Sequence, residues 1–233
     1  MKSPATICPS VLAANVDEYR EQMERIARFA TRVHIDLSDG KFAAAKTVAI
    51  DEVWWPGGVR ADLHVMYRRP FEHAKMLLNL RPQLIIVHAE ADGDFVAFAE
   101  EAHAKGVEVG VALLPQTSPE LIRPALNWID YVLLFSGNLG HFGGQADMRL
   151  IPKLRHIREL KPQLEIGWDG GINNQNARAL SMAGVDVLNV GGFIQHAADP
   201  RRAYDALEKL VHSSSPMRTV SPDMVMPKQS RKI

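Results

Sequence analysis
The chain has 233 residues, with 27 Lys and Arg against 27 Asp and Glu, 46% hydrophobic and 23% charged residues. That composition excludes wholesale disorder, and zero net charge argues against a general nucleic-acid binder. No apolar run approaches the roughly 18 residues of a membrane span, MKSPATICPS lacks the apolar centre of a signal peptide, and a single cysteine, Cys8, excludes an intrachain disulfide framework and suits a reducing cytoplasm.

In chain order the pattern predicts strands at 5–9, 32–36, 60–65, 84–88, 107–113, 130–135, 164–169 and 186–190. Helices are predicted at 15–29, 70–79, 94–104, 118–127, 148–160, 173–182 and 200–212, with a further short helix at 47–55. Asp92 and Asp94, Ser118 before Pro119, and Asn173-Asn174 are expected helix starts; Gly106 and Gly184 are expected stops. Eight β-then-α units in about 210 residues predict an α/β fold, a compact (β/α)8 TIM barrel over residues 1–212. An open doubly wound sheet is the alternative, but no G-x-G-x-x-G follows the first strand. The stretch 213–233, rich in Pro and Ser, reads as a flexible tail with net charge +3, which leaves the body at −3.

In such a barrel the chemistry sits at the C-terminal strand ends. Four ends carry unusual residues. Ser10 follows strand one; His34 and Asp36 share one face of strand two; His64 and Met66 share a face of strand three; Asp169 ends strand seven. A lone His or Asp at a strand end is commonly just a hydrogen-bonded turn residue. Two imidazoles and two carboxylates converging on one barrel mouth would instead suit one divalent ion, Zn²⁺, Fe²⁺, Mn²⁺ or Co²⁺. Glycine pairs Gly143-Gly144, Gly170-Gly171 and Gly191-Gly192 follow strands six, seven and eight. Each alone is equally a tight turn. Together they predict a phosphate cradle, because glycine lets backbone N–H groups approach an anion.

These segments resemble the ribulose-phosphate 3-epimerase family over nearly all of residues 5–210. The resemblance rests on Pro9-Ser10-Val11-Leu12-Ala13, His34-Ile35-Asp36, Asp39-Gly40-Lys41-Phe42 and Leu63-His64-Val65-Met66. Val87-His88-Ala89-Glu90, Phe142-Gly143-Gly144-Gln145 and Asp169-Gly170-Gly171-Ile172 complete it. It implies a ribulose-phosphate binding barrel holding one divalent metal on His34, Asp36, His64 and Asp169, with Asp36 and Asp169 as the acid–base pair. It also implies a phosphate site along Gly143, Gly144, Gly170, Gly171, Gly191 and Gly192, with Ser10, His64 and Met66 against the substrate. The implied reaction inverts C3 of a ketose phosphate through a cis-enediolate, D-ribulose 5-phosphate giving D-xylulose 5-phosphate. Alternatives are a ketohexose 6-phosphate such as allulose 6-phosphate as substrate, a related barrel lyase, or a non-catalytic sugar-phosphate binder. The lyases carry Asp-x-Lys-x-x-Asp, and the run His34-Ile35-Asp36-Leu37-Ser38-Asp39 has no Lys.

The sequence departs from the family at four places. Ser38 stands for the usual Met, and Ala43-Ala44-Ala45 for Val-Pro-Asn. The loop Phe135 to Gln145 is one residue longer, with Leu139 for Pro, and Val190-Gly191-Gly192 replaces a small residue, Gly and Ser. The expected partner is thus a phosphorylated ketose, with no nucleic acid and no membrane; a homo-oligomer is compatible. His88 and Glu90 read equally as core residues. His141 and His196 read as surface residues, and Trp54-Trp55 as a packing patch.

Overall fold
The computed structural model describes residues 3–213, so the tail expected at 213–233 lies, beyond its first residue, outside the described residues. Eight parallel strands close in sequence order: β1 (Thr6–Val11), β2 (Arg32–Ser38), β3 (Arg60–Met66), β4 (Leu84–His88), β5 (Glu108–Leu113), β6 (Tyr131–Phe135), β7 (Glu165–Asp169) and β8 (Val187–Val190). The barrel is the (β/α)8 fold expected. Its strands are buried on both faces, so runs such as Leu84-Ile85-Ile86-Val87 are continuously apolar instead of alternating.

Outside the barrel pack α1 (Val16–Ala27), α2 (Ala74–Asn79), α3 (Phe95–Ala104), α4 (Ile151–Leu160), α5 (Ala177–Ala183), α6 (Gly192–Gln195) and α7 (Pro200–His212). Helix α1 buries Tyr19, Met23 and Ile26, one turn apart on one face. Asp94 accepts from the Ala97 amide at the start of α3, as Asp199 does from Arg202 before α7. Gly184 closes α5 at φ 108°, a left-handed conformation that a side chain would strain.

Five predicted helices come out differently. Those at 70–79 and 148–160 open as 3₁₀ turns, Pro70–His73 and Met148–Leu150, before α2 and α4 begin. The segment 47–55 holds only a short 3₁₀ turn, Ile50–Glu52, because the amides of Thr47 and Val48 are bound to Ser38 and Ala13 carbonyls. Residues Pro119–Trp128 form a 3₁₀ segment, since Pro124 within it lacks an N–H and would clash with an α-helical turn. The helix expected at 173–182 starts at Ala177, because Asn173 and Asn176 spend their side chains on backbone groups of the preceding turn.

The barrel interior has its own apolar layer, including Cys8, Ile86, Ala112, Tyr131, Leu133 and Val187. Below it lies an ion-pair group at the N-terminal end. Arg32 donates from Nε to Asp62 (2.7 Å) and from both terminal nitrogens to Glu165 (2.9 and 2.8 Å). The Asp62 side chain is fully buried, and burial outweighs the pull of Arg32, so its carboxyl sits above the ordinary range.

Candidate active site
The strand register brings the predicted residues to one level of the barrel. Ser10 of β1 pairs with His34 of β2, Asp36 with His64 of β3, and Asp169 of β7 with Asn189 of β8. Strands β1, β2 and β3 run further than the sequence indicates, so Ser10, Ser38 and Met66 are held on strands instead of loops.

His34 and His64 are fully buried, and Asp36 and Asp169 are nearly so. His64 Nδ1 lies 2.8 Å from Asp36 Oδ1 and 3.6 Å from Asp169 Oδ2; His34 Nε2 lies 3.3 and 3.7 Å from the same atoms. One donor atom from each of the four residues lies within 4.8 Å of the others. Among the described residues this is the one such group. Burial would raise the Asp36 carboxyl, but His34 and His64 outweigh it and hold it well below the usual carboxylate range. Asp169 goes the other way. Burial first, and then the Asp36 charge, push it to about 7. Burial also lowers His64 to about 4, while the carboxylates overcome burial at His34 and raise it. The two carboxyls of the site are thus shifted in opposite directions.

The residues fit a divalent ion. His34 is buried with no aligned hydrogen-bond partner at either ring nitrogen, and two imidazoles with two carboxylates form a donor set suited to such an ion. A buried nitrogen without a partner is costly unless it has a ligand.

Above the four residues opens a cavity lined by Ser10, Asp36, Met66, Phe135 and Asp169, with Gly143, Gly144, Gly170, Gly171, Gly191 and Gly192 along its rim. None of the amides of Gly143, Gly144 and Gly171 donates to another described residue, which leaves them available to an anion. Gly170 and Gly171 have a second reason to be glycine. A Cβ on Gly171 would lie 2.1 Å from the Ala146 nitrogen, and one on Gly170 2.2 Å from that of Gly137.

The cavity also uses residues the sequence did not single out. Asn189 is 1% exposed and lines it, with Nδ2 donating to the Tyr131 hydroxyl (3.4 Å) and Oδ1 unpartnered. Its parity marks it: it lies two residues beyond the inward-facing Val187. Asn138, Asn173 and Phe142 join the lining, as do His141 and His196, which are exposed as expected but stand at the cavity edge. His88 points inward against His64, with 2.9 Å between their Nε2 atoms. Trp54 packs edge-on against Tyr19 and is a packing residue, as expected.

A closed parallel barrel whose strand ends gather two imidazoles and two unlike carboxyls beneath a glycine-lined mouth has the layout of a barrel enzyme performing acid–base chemistry on a small anion. The model of the ribulose-phosphate 3 epimerase family matches residues 6–195. The ribulose-phosphate 3-epimerase of Helicobacter pylori (strain ATCC 700392 / 26695) is 30% identical over 215 residues, 89% of this chain and 98% of that protein. That of Schizosaccharomyces pombe is 28% identical over 215 residues, 89% and 94% respectively. The chain belongs to the ribulose-phosphate 3-epimerase family, and is an isomerase of the carbohydrate epimerase type.

Among solved structures, 3-hexulose-6-phosphate synthase from Salmonella typhimurium matches with a TM-score of 0.64 at 17% identity, covering 88% of this chain and 97% of that one. KGPDC from Streptococcus mutans matches with a TM-score of 0.66 at 10% identity, covering 90% and 98%. At those identities the likeness concerns the fold alone. No helix among the described residues is long and apolar enough to cross a membrane.

Proposed function
We propose that the protein inverts C3 of a ketose phosphate, interconverting D-ribulose 5-phosphate and D-xylulose 5-phosphate, with a divalent metal held by His34, Asp36, His64 and Asp169. The observation that carries this is the gathering of His34, Asp36, His64 and Asp169 in one buried group at the barrel mouth, beneath the glycine-lined cavity. When bound, the metal supplies Lewis-acid stabilisation of negative charge developing on the substrate oxygens.

The chain's own residues do the rest. Epimerisation next to a ketone removes a proton from one face and returns one to the other. The charged carboxylate takes the proton at one face while the protonated carboxyl gives one at the other, and the roles exchange with reaction direction. Met66 and Phe135, both nearly fully buried, keep water from the cis-enediolate. The glycine rim holds the phosphate away from the reacting carbon and so positions that carbon between the carboxyls.

A second reading keeps the chemistry and takes a ketohexose 6-phosphate. It is favoured by the lengthened loop, whose Asn138, Gly140 and His141 form part of the cavity wall. One assay separates these readings: solvent deuterium incorporation at C3 across a panel of ketose phosphates and their unphosphorylated sugars. The pentose phosphates are expected to exchange fastest and the free sugars to lose most of the rate. A chelator is expected to abolish exchange and a divalent ion to restore it. Full activity after verified metal removal would overturn the metal assignment, and equal use of free sugars would overturn the phosphate cradle.

A further inference from the structure
His88 and Glu90 belong to one of the segments shared with the family, yet the metal and proton steps leave them without a task. His88 ends β4, 2% exposed, with its ring against that of Phe42 at 4.6 Å between centroids. Its Nε2 lies 2.9 Å from Nε2 of His64. Its Nδ1 lies 3.5 Å from Glu90 Oε2, and neither of these buried atoms has a hydrogen-bond partner among the described residues. The other Glu90 oxygen is fixed by the Thr117 hydroxyl and the Leu114 amide. Lys153 in turn clamps that turn, donating to the Leu114 and Pro115 carbonyls at 2.8 Å each.

We propose that His88 and Glu90 are positioning residues that set the tautomer and orientation of His64. The inference rests on the metal reading above, and its logic is directional. His64 turns Nδ1 toward Asp36 and Asp169, and with a metal held among them Nδ1 would give its lone pair to that ion, which would leave the ring proton on Nε2. Two ring nitrogens 2.9 Å apart need one proton between them, so His88 accepts at Nε2. The other ring nitrogen of His88, Nδ1, then faces Glu90 Oε2 at 3.5 Å, where an acceptor suits an N–H. The chain ends on a group held from two sides, by the Thr117 hydroxyl and the Leu114 amide. A carboxylate behind an imidazole also makes that imidazole a better acceptor, and through it makes His64 a stronger ligand.

The tests are zinc binding by competition with a chromophoric chelator and ring-nitrogen NMR of the zinc-loaded full chain. Leucine at position 88 (His88→Leu) is expected to weaken zinc binding about 10–100-fold. His88→Gln, whose amide oxygen can accept the His64 proton, is expected to recover most of that loss, which a purely space-filling role for His88 would not produce. In the parent, NMR is expected to find protons on His64 Nε2 and His88 Nδ1. A Leu variant binding zinc as tightly as the parent, or a proton-free His64 Nε2, overturns the relay. Should the Leu variant fail to fold, the parent spectrum alone decides. A parent that binds no zinc, manganese, iron(II) or cobalt sinks the metal reading itself, a separately visible outcome.

Discussion

Asparagine in place of Asp36 or Asp169 is expected to lower the exchange of the C3 proton with solvent about 10²–10⁴-fold. The amide preserves the volume and most of the packing of a carboxyl that is nearly buried in the parent. It cannot pick up a proton or carry one to the opposite face. The two variants should differ in character. Asp36 lies closest to both imidazoles, at 2.8 and 3.3 Å, so Asp36→Asn is expected to lose metal as well. Asp169, raised by burial and by its neighbour, stands further from the imidazoles, at 3.6 and 3.7 Å. Its loss should leave more bound metal and equally little exchange. Deuterium incorporation measured alongside metal content reads both effects. Undiminished exchange in either variant would remove that carboxyl from the reaction.

The second large effect is expected far from the chemistry. Arg32→Met strips the buried Asp62 of its guanidinium, and an uncompensated charge in such a place costs about 3–5 kcal/mol. For a chain of this size that corresponds to a drop in Tm of about 6–20 °C. The pH dependence follows from the direction of the Asp62 shift. A carboxyl whose folded pKa is raised penalises the fold above that pKa, and the penalty fades as pH falls and the group protonates. Arg32 is what pulls the Asp62 carboxyl down, so without it the carboxyl rises further. The variant's deficit against the parent therefore grows as pH rises above the ordinary carboxylate range, visible in a comparison of pH 8 with pH 5. Glu165, more than a third exposed, should matter far less, with Glu165→Gln costing about 0–1 kcal/mol. Thermal unfolding at the two pH values tests this, and an Arg32→Met protein melting with the parent would show that the guanidinium does not compensate the buried charge.

The fold was legible because the barrel's strands are buried on both faces and punctuated by turns, so all eight stand out as short apolar runs. The helices were less so where side chains compete for backbone. Asn173 and Asn176 occupy the first turn of a predicted helix, and Pro124 forces a tighter coil. The four His and Asp positions could be found from parity and strand ends alone. His88 could not be weighed from its own strand, since its importance lies in a 2.9 Å contact with a residue 24 positions away. Asn189 was hidden by the apolar run around it, and the two-residue alternation from Val187 was the available signal. Gly170 and Gly171 carried two reasons at once: a ligand's approach and the backbone of the neighbouring loop look alike in sequence.

One contact over the mouth links two of the departures from the family pattern. A Cβ on Gly140, in the lengthened loop after β6, would lie 2.9 Å from Ala45 Cβ, with Ala43 next to it, in the segment after β2. The extra residue on one side thus faces shortened side chains on the other. The two segments are in direct contact there. A side chain added at Gly140 would press on Ala45, and bulk added at Ala45 would press on the loop, so substitutions in the two segments are expected not to add.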